Sequence, residues 1–384
     1  MNPTLTKLSR ISPLLKSVVV ACCMSISLPA LALTDVLDTP SRPSLKATST
    51  LLTDVARAGS RLVAVGQRGH VVYSDDQGKT WVQAKVPVSV LLTSVYFVDG
   101  RLGWATGHGG LILHTTDGGE TWIKQFDGNQ ANQMVIAQAQ AHLDEIQARF
   151  DAASEEAKEE LQYELEDAQF ALEDAEIDAE TGPSKPLLDI WFKDARHGLA
   201  VGAYGYFFET RDGGQTWENA APRLDNPERF HLNAIAEERG GGLFIVGEAG
   251  QIFMSSDEGQ TWEMLESPYS GSLFAVSGTG NVNEVLVGGL RGHIFRSEDL
   301  GQTWERVSFD SDQTVNSLTA DGQGQVLALA NAGIWALSRD FGKTFRVYTR
   351  EDRDGLLSGL YLQGDRLVLV GEKGIRVLRG LSKL

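Results

Sequence analysis

Beyond residue 32 the chain contains no cysteine, since the only two, Cys22 and Cys23, sit side by side near the start. If that stretch leaves with an export signal, disulfides and thiolate-held metals are excluded from what remains. Positive charge is also scarce, with 34 Lys and Arg against 51 Asp and Glu, a net −17. That balance excludes unaided binding to a nucleic-acid backbone. After the N-terminus no apolar run reaches the ~20 residues a helix needs to cross a bilayer. The usual patterns of nucleophile, phosphate and metal chemistry are missing as well: there is no Gly-x-Ser-x-Gly elbow, P-loop, His-Glu-x-x-His or EF-hand loop. No cofactor or metal is expected.

Residues 1–32 read as an export signal. Lys7, Arg10 and Lys16 form a positive start, an apolar run follows from Ser17 to Leu31, and Ala30-Leu31-Ala32 offers a small-residue cleavage site. A periplasmic or exported protein is the expectation. The alternative is a lipid anchor on Cys22 after Val19-Val20-Ala21, although Lys16 leaves a short apolar stretch before it.

What the sequence has in abundance is a repeat, Ser/Thr-x-Asp-x-Gly-x-Thr-Trp. It begins at Ser74, Thr115, Thr210, Ser255 and Ser297, and a sixth copy at Ser338 carries Phe345 in place of Trp. Before each copy an apolar strand ends in a Gly-x-x-Gly turn whose first position falls at residues 66, 107, 202, 247, 289 and 330, with Ala at 330. A seventh turn at Gly371 and Gly374 has no repeat after it. The period is about 42 residues, enough for four short strands, which is one propeller blade. In the second unit the strands are expected over 91–98, 102–106, 111–116 and 121–126.

The repeat has a physical reading as hairpin chemistry. Its Asp and Ser/Thr oxygens accept N–H bonds from their own turn, its Gly takes positive φ, and its Trp packs between blades. Asp76, Asp117, Asp212, Asp257, Asp299 and Asp340 are therefore assigned to folding and not to catalysis. The seventh unit stops one strand short, so residues 33–47 are expected to supply its outer strand and close the ring.

One interval in the period is 95 residues, and the surplus falls between Asn129 and Gly182. This segment has no Pro, favours helix in its composition, and carries 15 acidic side chains against Arg149 and Lys158, a net −13. Apolar residues from Leu143 to Ala175 recur at helical spacing. Both ends must return to neighbouring blades, so a helical hairpin turning near 151–154 is expected. The division is then a signal at 1–32, two blades with a closing strand at 33–128, the hairpin at 129–182 and five blades at 183–384. The fold class is all-β, a seven-bladed propeller of Asp-box repeats with an inserted α-helical hairpin.

Antiparallel order puts the Gly-x-x-Gly turns and the hairpin on one face and the Asp boxes on the other. Around that face the candidate partner-binding residues are Arg68, His70, His108, Tyr204, Arg291, His293 and Lys373, whose basic and aromatic groups suit a carboxylate or acidic peptide. Phe150, Tyr163 and Phe170 are the candidate contacts of the hairpin. His197 and His231 are assigned to packing or capping.

With these repeats laid out, the chain resembles the Asp-box propellers, a superfamily that includes sialidases. It looks most similar to the photosystem II assembly and stability factors of cyanobacteria and plastids, over about Leu51 to Arg379, with sequences such as Gly69-His70-Val71-Val72-Tyr73-Ser74 running into an Asp box. The resemblance implies a non-enzymatic, lumen-side or periplasmic scaffold that holds a membrane-protein subunit, an assembly intermediate, while staying at most peripheral to the membrane. An arginine-lined face binds the partner in that family, and Arg68 and Arg291 are the matching positions here. The acidic hairpin departs from the family's compact ring, and this departure leaves open a relative in a non-photosynthetic envelope that serves another membrane complex such as an exporter. The alternative is a sialidase-like glycoside hydrolase or carbohydrate-binding propeller. Against it, the Phe-Arg-Ile-Pro signature is absent, and Arg42-Pro43 is the nearest approach.

Overall fold

Seven antiparallel sheets follow one another along the chain, six of four strands and the last of three, each made of consecutive strands. The computed structural model describes residues 35–381; the expected export signal at 1–32 and Cys22 lie outside them. The innermost strands are Leu52–Ala58, Leu92–Phe97, Leu187–Phe192, Leu232–Glu237, Leu273–Gly278, Val315–Ala320 and Leu356–Leu362. Each touches the next, and the last touches the first. The ring is closed, a seven-bladed β-propeller.

Second strands such as Gly103–Gly107, Gly198–Gly202 and Leu243–Gly247 are buried at every position. They lie between two neighbouring sheets, so both of their faces are core, and their sequences are continuously apolar and not alternating. The Asp-box aromatic completes each interface by packing back onto the preceding blade. Trp122 joins Val63 and Val65 of blade 1, and Trp217 joins Trp104 and Phe126 of blade 2.

The boxes have the local chemistry expected of them. In the first, Asp76 Oδ1 accepts the N–H groups of Lys79 and Thr80 at 2.9 and 2.8 Å, Oδ2 accepts the Thr80 hydroxyl at 2.6 Å, and Gly78 N–H donates to Ser74 Oγ at 2.9 Å. The Thr80 hydrogen bonds bring the Asp76 carboxyl down to about 2. The other five boxes repeat the bond from the Thr hydroxyl to Asp Oδ2 at 2.6–2.7 Å.

Closure differs from the expectation. Among the described residues the N-terminal segment adds no strand to blade 7, which remains three-stranded. It runs instead along blades 1 and 2, where Ser41 N–H donates to Val86 O at 3.0 Å, Ser89 N–H donates to Val36 O at 2.8 Å, and Leu37 is buried in the core between the two blades. The seam between blades 7 and 1 is held by side chains, with Trp81 packed against a buried cluster that joins Leu62 and Val72 of blade 1 to Val368 and Val370 of blade 7. It is also held by Gly374, where a Cβ would lie 2.1 Å from Thr48 O. Gly69 stands in the same relation to Val88 O, at 2.2 Å, in the connection from blade 1 to blade 2. Thr48 thus replaces an inter-blade connection, and no overlapping strand is needed.

The insert is two helices, α1 (Gly128–Ala152) and α2 (Glu155–Thr181). Asp127 and Gln130 form a capping box at the start of α1, and Ser154 caps α2 through Ala157 N–H. The turn at Ala153 and Ser154 falls where the sequence places it. Ile146, Leu165 and Ala168 are buried between the helices, with Leu143 and Phe150 packed against them.

Candidate functional site: the Gly-x-x-Gly face and the helical arm

Six of the seven turns make a tight reversal whose third residue takes left-handed backbone; the turn at Lys373 does not. Arg68, Tyr204, Ala249, Arg291 and Ala332 have φ of 55–58°, and Gly109 occupies the same place in blade 2. A non-glycine side chain in this conformation is strained, and here it is presented at the rim. Arg68, Tyr204, Arg291, Lys373 and His108 are all exposed.

Two of the predicted rim histidines are placed otherwise. His70 is buried, its Nδ1 3.3 Å from Thr50 Oγ1, and burial together with the neighbouring Arg68 charge pulls its pKa down. His293 is half-buried, with Nδ1 3.0 Å from Leu290 O and its ring 4.3 Å from that of Tyr269. Both follow the second Gly in extended backbone, one residue ahead of the next strand, and turn inward. Of the hairpin residues, Tyr163 and Phe170 are exposed, whereas Phe150 packs between the helices. His231 faces Tyr204, their ring centroids 4.9 Å apart. His197 is buried against Glu209 at 2.9 Å.

The arm is rooted on this face. Gly128 N–H donates to Gly109 O at 2.7 Å, which seats the start of α1 on the turn of blade 2. Asn132 Oδ1 accepts the Tyr206 hydroxyl at 3.1 Å, and Gln138 bonds Asn219 of blade 3. Between α1 and blade 3 this leaves a groove of about 710 Å³. Tyr204 and Tyr206 line it with Lys185, which pairs with Asp178 of α2 and lies 5.5 and 5.4 Å from the two rings. Arg229 stands at its edge with φ of 50°, its loop pinned by the Asn226 side chain bonding Phe230 N–H and O. Sequence reasoning missed Lys185, Tyr206 and Arg229. Their proximity to Tyr204 comes from the arm folding back along blade 3, which no local pattern encodes.

A second cavity, about 470 Å³, is the central channel. Asp54 Oδ2 accepts Val95 N–H at 2.8 Å, and Asp189 Oδ2 accepts Ile235 N–H at 2.9 Å, so each carboxylate ties its blade to the next. Burial raises the Asp189 carboxyl to about 6 against its hydrogen bonds. These side chains are consumed by the scaffold.

The model of the photosynthesis system II assembly factor YCF48 family matches residues 44–134 and 169–358. The break between the two stretches falls inside the helical arm. This chain belongs to the YCF48 family. Among curated relatives, the photosystem II assembly lipoproteins Ycf48 of Parasynechococcus marenigrum (strain WH8102) and Prochlorococcus marinus (strain MIT 9313) are 41% identical over 59 residues and 38% identical over 65. Those stretches are 15% of this chain in each case and 16% and 19% of the two relatives, so the chain matches less than a fifth of their length. Among solved structures, YCF48 bound to D1 peptide superimposes with a TM-score of 0.58 at 18% identity, covering 86% of this chain and 93% of that one. YCF48 from Cyanidioschyzon merolae gives 0.57 at 14%, covering 88% and 97%. At such identities the two structures speak for the propeller fold.

Proposed function

We propose that this chain is a non-catalytic, exported assembly factor that holds an extended segment of a membrane-protein subunit on its Gly-x-x-Gly face, beside the helical arm. The observation that carries this reading is the groove where arm and face meet. It offers the aromatic Tyr204 with Arg229 at its edge and with Lys185, itself paired to Asp178, beside the ring, a set suited to an apolar side chain followed by a carboxylate that Arg229 receives. Arg68 and Arg291 extend the cationic rim. The solved YCF48 neighbour bound to D1 peptide supports a polypeptide ligand. The two relatives named lipoproteins support attachment through Cys22. Among the described residues no helix is long and apolar enough to cross a membrane.

The test is affinity purification of the chain from envelope extract, comparing the natural sequence with Tyr204→Ala, with Arg68→Ala/Arg291→Ala and with residues 129–182 deleted. A membrane-protein subunit is expected with the natural chain and is expected to be lost in each variant. Retention of the same subunit by all three variants would overturn the assignment of this face.

A further inference from the structure

The helical arm is asymmetric in a way the face reading does not use. α2 carries 12 acidic side chains against Lys158 alone, whereas α1 carries only Asp144, Glu145 and Asp151 against Arg149. Three large apolar side chains stand on α2 in solvent: Tyr163 at 74%, Phe170 at 63% and Ile177 at 55% exposure. They recur every seven residues, so they form one stripe drifting only ~20° per step and ~21 Å long. Leu165, Ala168 and Ala175, the buried residues of α2, lie on the opposite side toward α1. The hairpin therefore cannot cover this stripe itself.

Exposed acids flank the stripe on both sides, with Glu159 and Glu166 on one and Asp167 and Asp174 on the other. This pairing selects the occupant. A second copy of the arm would set one strongly acidic helix against another, and an anionic lipid surface would be repelled in the same way. A partner helix with apolar residues at heptad spacing and Lys or Arg on either side satisfies both features. Its apolar edge covers Tyr163, Phe170 and Ile177, its cations meet the carboxylates, and the two aromatic faces accept any cation placed over them.

We infer that the outer face of α2 is a second docking surface, built for a cationic amphipathic helix of a partner protein. This inference goes beyond the groove and stands or falls separately from it.

The experiment uses the full chain and two labelled helical peptides about 21 residues long. They share one apolar heptad edge, and the remaining positions are Lys in one and Glu in the other. Fluorescence anisotropy is expected to show binding of the Lys peptide only. Affinity is expected to drop at least about tenfold with Tyr163→Ala/Phe170→Ala/Ile177→Ala, and similarly with Glu159→Gln/Glu166→Gln/Asp167→Asn/Asp174→Asn. Tyr204→Ala, which disables the groove, is expected to leave it unchanged. All seven α2 positions are exposed, so unchanged unfolding temperatures verify the fold of both variants. Equal binding of the two peptides, binding of neither, or full affinity in the triple alanine variant overturns the inference. So does stripe-dependent self-association of the chain or stripe-dependent binding to phosphatidylglycerol vesicles.

Discussion

The Ser94 hydroxyl of blade 2 lies 2.7 Å from Asp189 Oδ1 of blade 3. The same hydroxyl is 3.1 Å from Asp54 Oδ2 of blade 1, and Asp54 Oδ1 accepts from Ser358 of blade 7 at 2.7 Å. One hydroxyl proton cannot serve two ionised acceptors at once. A proton on Asp189 resolves the conflict, because Asp189 then donates to Ser94 and Ser94 donates to Asp54.

This arrangement sets a pH dependence. Burial holds the folded Asp189 carboxyl at about 6, above the ordinary 3.8. The stabilisation from its neutral form is complete below the unfolded value and is lost as pH rises through 6. Asp189→Asn keeps a neutral group that still accepts Ile235 N–H. We expect the variant to exceed the natural chain by about 1–2 kcal/mol at pH 8 and to match it at pH 4, as read from urea unfolding at both values. A variant less stable at pH 8 would show that Asp189 is ionised without penalty.

The seam between blades 7 and 1 is testable through Trp81. Truncating this half-buried indole to Ala removes its packing on the buried cluster shared by blades 1 and 7 and is expected to cost about 2–3 kcal/mol. Gly374→Ala adds a Cβ 2.1 Å from Thr48 O at a residue with φ of 75° and is expected to lower the unfolding temperature further. If both variants unfold like the natural chain, the ring is held elsewhere.

Glu209 makes a third test. Its carboxylate is buried, with Arg211 and Arg223 each at 2.7 Å and His197 at 2.9 Å. Burial would push it up, but the bonds from His197 and Arg223 and the charge of Arg211 outweigh that and hold it below the usual carboxylate range. Glu209→Gln leaves the cations uncompensated, and a loss of about 2–3 kcal/mol at pH 7 is expected. The difference should shrink in acid, because a depressed carboxylate gives up its stabilisation as pH falls through its folded value.

The parts of this molecule set by short-range chemistry were legible in the sequence. The Asp boxes state their own hairpin hydrogen bonds, and their period counts the sheets. The hairpin turn at Ala153 and Ser154 follows from the return both helix ends must make. The parts that failed depend on distant neighbours. Nothing near Leu37 says that it enters the core of blades 1 and 2, so residues 33–47 looked free to complete blade 7. His70 and Arg68 are two positions apart, yet one is buried and the other exposed, because the turn ends between them at Gly69. Phe150 and Phe170 look alike on a helix, and only the packing of α1 against α2 separates them. Ile177 did carry a signal, its interval of seven from Phe170, which pattern reading of the core stripe passed over.

Arg68, Tyr204, Ala249, Arg291 and Ala332 share one backbone conformation, and only the side chains differ. A substitution there exchanges a surface group and leaves the turn beneath it alone. The scaffold therefore works as a dial of equivalent sockets, on which preference for a ligand can diverge one socket at a time while the wheel underneath stays the same.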